Sequence, residues 1–347
     1  MSLVNTLKQE IRAKMLNPIE RDEWRYTRYG LLTAVKEMTA SPNSIINEDL
    51  MTKAKESEGR DLKIPVYKIG DIAITNARSC EINDLENTTE MVPVTWTTLV
   101  AGFHMKKSEY HNNLVSYEMD FGKKLAKLDN AFAKAVEQLI FAKLDTIKSG
   151  VSNSNILSAN YPFTADTMQV ASAQQETFFN DLSVIMEEDD FYSMPFKVLS
   201  STGLKPSVTH YGNQGANNDE NLTYQFGNFD FRFSNHVVDG AGKKATGFIM
   251  NDGDMGIMTH INVDAVMGNE TSDGTKWETA FLDVFGFNVA VMHKSTCKDL
   301  SGVAGLSHLK ATHVEEFEFS IDVALVNTYN SDPATKAGGV KKFEFLP

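Results

Sequence analysis

Three stretches of the sequence carry residue types that could do chemistry. Gly240-Ala241-Gly242-Lys243-Lys244 has the glycines and lysine of a phosphate-binding loop. That loop needs a first glycine five positions before the second and a Ser or Thr after the lysine, but Val237 and Lys244 stand there. Asn251-Asp252-Gly253-Asp254 resembles the start of a calcium loop, yet the glycine of the sharp turn is misplaced and Val263 occupies the position of the bidentate glutamate. A polar turn is expected instead. The run Glu187-Glu188-Asp189-Asp190 offers four carboxylates for metal or acid–base work, or a solvated helix end, and the solvated end is expected.

The histidines are His104, His111, His210, His236, His260, His293, His308 and His313. None forms a helical zinc spacing or pairs with a cysteine at ligand spacing. Cys80 and Cys297 lie far apart, which is neither a disulfide framework nor a zinc pattern and fits a reducing compartment. Gly-x-Ser-x-Gly and a dinucleotide fingerprint are missing as well. No catalytic, cofactor-binding or metal residue is assigned, and an enzyme is not expected.

What else could the chain be built for? It has 347 residues, of which 42% are apolar and 23% charged, an ordinary globular composition. Lys+Arg number 33 against 46 Asp+Glu, a net charge of −13, which argues against a general polyanion binder. The N-terminal stretch carries charge every few residues and lacks a signal-peptide core, and no apolar run is long enough for a membrane span. Synthesis in a cytosol and no membrane contact are expected.

Residues 1–60 hold 10 Lys+Arg and 9 Asp+Glu, so this stretch is net +1 while the rest carries −14. Leu3, Leu7 and Ile11, then Leu31, Leu32, Val35 and Met38, recur as short helical snatches. They suggest an arm of short helices, or equally a helical subdomain folded onto the body. From residue 61 the period changes. Leu62, Ile64 and Val66 alternate, as do Val92, Val94 and Trp96, flanking a polar middle from Asn76 to Glu90. Pro65 and Pro93 sit inside these runs, and proline cannot donate to a ladder, so a two-stranded ribbon or edge is expected. A lone ribbon is marginal in water and must lie on something.

Leu114, Tyr117, Phe121, Leu125, Leu128, Phe132, Val136, Leu139, Ile140, Leu144 and Ile147 recur at helical spacing up to Gly150. A helix over about 112 to 148 would be roughly 55 Å long. Asp166 and Gln169 then read as a capping box for a shorter helix carrying Val170, Phe178, Leu182, Ile185 and Met186. Strands are expected at Phe196–Ser200, Tyr224–Phe233 and Thr246–Met250, with a Gly/Asn-rich loop over Tyr211–Asn221. Trp277–His293 is apolar on both faces and reads as one central strand. Val314–Val326 alternates cleanly, and Phe343-Glu344-Phe345 closes the chain.

This order of features resembles the major capsid protein of tailed bacteriophages, with the α+β Hong Kong 97-type fold. The stretches FKVLSSTGLKP, YQFGNFDFRFSNHV and TGFIMNDGDMGIM are similar in texture to the axial domains of that family. The resemblance implies an N-terminal arm over 1–60, an extended β-ribbon loop over 61–105 and a peripheral domain with its spine helix over 106–165. An axial domain over 166–258 and closing strands of the peripheral domain over 259–347 would follow. It further implies a structural subunit that assembles as hexamers and pentamers into an icosahedral virion shell around double-stranded DNA, made in the bacterial host cytoplasm. Scaffolding, portal and decoration proteins would be its other partners. The sixty residues before the ribbon are too few for a fused scaffolding domain.

Assembly residues expected on this basis are Pro65, Lys68, Pro93 and Trp96. Lys68 lies in the extended loop, where some relatives form lysine–asparagine cross-links, but nothing in the sequence marks a reactive partner. An encapsulin-like compartment or a phage tail or baseplate component would share parts of this pattern.

Overall fold

The computed structural model describes residues 29–56, 59–68, 88–106, 116–154, 160–191, 196–212, 223–226, 229–298, 312–330 and 333–347. The first helical snatch, most of the polar ribbon middle and most of the Tyr211–Asn221 loop lie outside them.

Helix α1 (Gly30–Ala40) buries Leu31, Leu32, Ala34, Val35 and Met38, a stripe along one side of three turns. The helix stops at Ser41-Pro42, and α2 (Glu48–Ala54) starts behind the N-cap Asn47, whose Oδ1 accepts from Leu50 N at 2.8 Å. Of the two readings of residues 1–60, the described part follows the second. α1 lies in the main core with helix α3 and is no free arm, because five of its apolar side chains have no other way out of water.

Strands β1 (Lys63–Lys68) and β2 (Thr88–Pro93) form a separate antiparallel ribbon. β3 (Trp96–Lys106) leaves it and joins a five-stranded sheet, so sheet pairing with the body resumes at Trp96, inside the stretch expected as one loop. Helix α3 (Tyr117–Ile147) has 31 residues, about 46 Å at the usual rise, behind the N-cap Ser116. Its start falls five residues after the expected one.

After α3 the chain enters a seven-stranded sheet. β4 (Phe163–Thr164) and β5 (Thr167–Val170) are a hairpin, not the start of a helix. Ala165 (φ 47°) and Asp166 (φ 57°) are both left-handed, the geometry of a two-residue primed turn, and this conformation overrides the capping-box pattern. Helix α4 (Phe178–Glu188) follows, then β6 (Phe196–Ser201), α5 (Lys205–Gly212), β7 (Thr223–Phe226), β8 (Phe229–Ser234) and β9 (Ala245–Met250). The single strand expected at Tyr224–Phe233 is thus two, paired antiparallel with Tyr224 opposite Phe231.

The chain then crosses to the five-stranded sheet with β10 (Met255–His260), α6 (Val263–Met267), β11 (Lys276–Leu282), β12 (Phe287–Lys298) and β13 (Thr312–Asn327). Trp277–His293 is also two strands, not one. The chain reverses at Gly286 (φ 75°), and Leu282 faces Phe287. β13 runs through the expected alternation, pairing with β3 along one edge and with β12 and then β10 along the other.

The last strand, β14 (Lys341–Phe345), does not close this sheet. It returns to the seven-stranded one, between β5 and β9, giving the order β4-β5-β14-β9-β6-β8-β7. β10, expected with the central α+β region, pairs with β13 instead.

Two cores result. Phe196, Val198, Phe231, Ile249, Phe343 and Phe345 face α4 on one side of the seven-stranded sheet. Leu199, Phe248 and Met250 face the other way, into the core built by α1, α3 and the five-stranded sheet. Alternate residues of β6 and β9 therefore serve different cores, which is why these strands are buried on both faces.

Candidate assembly surface

No side chain described in the ribbon strands is fully buried. Pro65 pairs in register with Met91 and Lys63 with Pro93, so both prolines sit at the root of the ribbon. Pro65, Thr89, Glu90, Met91 and Pro93 are exposed, Met91 to 55%. Lys68 ends β1 opposite Thr88. The root is held by Val94 N donating to Leu62 O at 3.0 Å and by Tyr329 Oη donating to Glu90 at 3.2 Å.

Trp96 stands apart from the other three expected residues. It opens β3, opposite Ala324, with its ring edge-on to His260 at 6.0 Å. Around it lie Ile46, Ala54, Met258 and Ala324, a small third core beneath the ribbon. His260 Nδ1 contacts Ala54 O at 2.8 Å, tying α2 to the same place. Pro65, Lys68 and Pro93 are thus brought together on the ribbon, whereas Trp96 anchors its base.

The candidate chemical stretches are spent on packing. Lys243 donates to Gln169 Oε1 at 2.5 Å and Lys244 to Gln175 Oε1 at 2.9 Å, so the glycine–lysine segment holds β5 and the short helical turn behind it. Asn251–Asp254 is the turn by which the chain crosses between sheets. Ser41 Oγ donates to Asp252 at 2.7 Å and Asn251 N to Asp254 at 3.2 Å. Burial pushes the Asp254 carboxyl up to about 6, against the pull of its hydrogen bonds from Asn251 and with a further push from Asp252.

The acidic run at the end of α4 is not simply solvated. Asp189 is buried and meets Lys341 Nζ at 2.5 Å, and it accepts from Ser152 Oγ and from Asn153 N. Glu188 accepts from Ser154 Oγ. These bonds fasten the segment after α3 and the strand β14 to α4. Among the described residues, no group of three or more His, Cys, Asp or Glu could hold a metal.

Two further carboxylates are invisible as a sequence pattern. Asp129 and Glu137 lie on the buried side of α3 beside Leu128 and Val136. Asp129 accepts from Val284 N (2.9 Å) and Phe285 N (2.8 Å), which caps the β11–β12 turn. Glu137 accepts from Leu32 N at 3.0 Å and from Ser234 Oγ, so it serves as the missing N-terminal cap of α1. Burial holds its carboxyl above the usual range, against the pull of Ser234, Leu32 and Leu31. A polar residue at an apolar helical position is the only signal for either.

No protein-family model matches the chain, and no curated protein does. Solved structures do. A structure from Mycobacterium phage Che8 aligns over 96% of this chain and 96% of its own, with a TM-score of 0.52 and 8% identity. The capsid of Ralstonia phage GP4 aligns over 95% of both chains at a TM-score of 0.47 and 10% identity. The cyanophage A-1(L) capsid asymmetric unit aligns over 94% of this chain and 98% of its own, at 0.49 and 10%. A likeness that spans nearly the whole of two chains at so low an identity is a likeness of fold, and the chain shares the mixed α+β fold of the Che8 phage structure.

Proposed function

We propose that the chain is the structural subunit of a bacteriophage shell, assembling as hexamers and pentamers into an icosahedral capsid around double-stranded DNA. The observation that carries this reading is the exposed ribbon on a body with a phage fold. Two strands rooted in the body, with Pro65, Thr89, Met91 and Pro93 exposed, gain burial by lying on another copy. In this reading Pro65, Lys68 and Pro93 act at contacts between copies, Trp96 sets the angle of the ribbon, and no active site is needed. The strand pairing argues for moving β10 into the peripheral division and β14 into the axial one. Scaffolding, portal and decoration proteins are the partners such a subunit would meet after synthesis in the host cytoplasm.

Negative-stain microscopy of the purified chain tests the proposal. Closed shells are the expected result, and enclosed nucleic acid distinguishes a genome container from a compartment for protein cargo. Open tubes or rings, or a chain that sediments as one subunit with every scaffold supplied, would overturn it.

A further inference from the structure

A cleft of about 770 Å³ opens beside the last turns of α3, and its lining includes Val92 of the ribbon, Lys143, Thr146, Ser149, Asp254 and Val340. Lys143 is half-buried there. Burial holds its ammonium below the usual lysine range, and no hydrogen bond or opposite charge offsets this among the described residues. Two other lysines depressed by burial are answered. Lys36 feels the charge of Asp129 and donates to Phe285 O, and Lys341 meets Asp189 at 2.5 Å. Of the other lysines at the cleft, Lys148 is paired with Asp145 at 3.0 Å and Lys336 already has an interaction partner.

An ammonium drawn partly out of water without a partner costs free energy that a carboxylate in contact with it recovers. A polyanion is poorly suited to supply that contact, because Asp166 and Asp254 belong to the same lining and repel a run of phosphates. A single carboxylate needs only the one ammonium. Copies of this chain are rich in carboxylates, with 46 Asp+Glu against 33 Lys+Arg. Val92 lies on β2, so the cleft sits at the foot of the ribbon, next to the surface proposed for contacts between copies. Its volume falls within the roughly 300–1,000 Å³ of ligand clefts and leaves room for an entering side chain.

We propose that Lys143 receives an acidic side chain from a second copy of the chain, which enters this cleft on assembly. The inference rests on the capsid reading and adds to it a charged contact made by the body rather than by the ribbon. The single subunit carries an unanswered charge, and the assembled one answers it. Lys143 is thus a cost to the subunit and a contribution to the particle.

Two variants of the full chain test this. Lys143→Met removes the charge and keeps much of the apolar stem, whereas Lys143→Arg keeps the charge. Parent and variants are unfolded in urea as unassembled subunits, then followed by sedimentation velocity across a concentration series to find where particles form. Lys143→Met should have a urea midpoint at or above the parent's, since it loses only a charge without a partner. It should need at least about tenfold more protein to form particles, because the carboxylate of the second copy is left buried and unpaired. Lys143→Arg should assemble near the parental concentration. Assembly of Lys143→Met at the parental concentration would overturn the proposal. So would a lowered urea midpoint, which would give Lys143 a partner within its own subunit. A parent midpoint raised by added acetate or phosphate, with Lys143→Met unmoved and still assembling, would assign the cleft to a free small anion instead. Failure of the parent itself to form particles would overturn the capsid reading and this inference with it, whereas equal assembly by parent and Lys143→Met strikes the inference alone.

Discussion

Asp254 stands at the turn where the chain leaves one sheet for the other, with its backbone carbonyl accepting from Thr328 N at 3.0 Å. Its carboxyl titrates near 6 because burial disfavours the charged form. The folded state therefore holds this proton more tightly than the unfolded chain does. The stabilisation is fully present below the ordinary aspartate range near pH 4 and is lost as pH rises through about 6. Asp254→Asn removes the titration while keeping an acceptor for Asn251 N. Urea unfolding from pH 4 to 8 should show the parent losing up to about 3 kcal/mol relative to the variant. Parallel profiles would mean that Asp254 does not titrate in this window.

At the scale of elements, α1 shows what a short apolar pattern leaves open. Its residues recur at helical spacing, but nothing in that spacing says whether the stripe meets this chain or another. Its partners lie far along the sequence: Glu137 on Leu32 N, Arg232 on Glu37 at 2.7 Å, and Thr39 Oγ1 accepting from Ile257 N at 2.9 Å. α1 thus touches α3 and both sheets at once. Met38→Ala should cost about 2–5 kcal/mol of stability, as for a core methionine, and show up as a lower urea midpoint of the unassembled chain. A midpoint unchanged from the parent would return α1 to the status of an arm.

β13 is legible in the sequence because its alternation is uninterrupted and only one of its faces is fully apolar. The reversals inside Trp277–His293 and Tyr224–Phe233 are not. At the first, the turn itself carries Val284 and Phe285, with Phe285 wholly buried and its backbone capped by Asp129, so hydropathy continues through the bend. The ribbon can be read from two prolines. The place of β14 cannot, since Phe-Glu-Phe fits the edge of either sheet, and a buried pair between Lys341 and Asp189, far apart in sequence, accompanies its true one.

For the whole molecule, the two sheets share a core and the chain crosses between them more than once, so the body is tied together without the ribbon. Leu62 O and Val94 N are hydrogen-bonded at 3.0 Å, which places the two ends of the ribbon side by side. Residues 63–93 can therefore be replaced by a short Gly-Ser turn without stretching the backbone. Among the described residues, the contacts of the ribbon with the body include the hydrogen bond from Tyr329 to Glu90 and the cover that Val92 gives to the cleft beside Lys143 and Asn330. If the ribbon belongs to contacts between copies, the excised chain should keep its circular dichroism and lose less than about 1 kcal/mol in urea unfolding, in keeping with a change confined to the surface. The same chain should fail to form particles by sedimentation and microscopy. Loss of the folded state on excision would place the ribbon in the subunit's own core, and normal particles from the excised chain would leave the ribbon without a part in assembly.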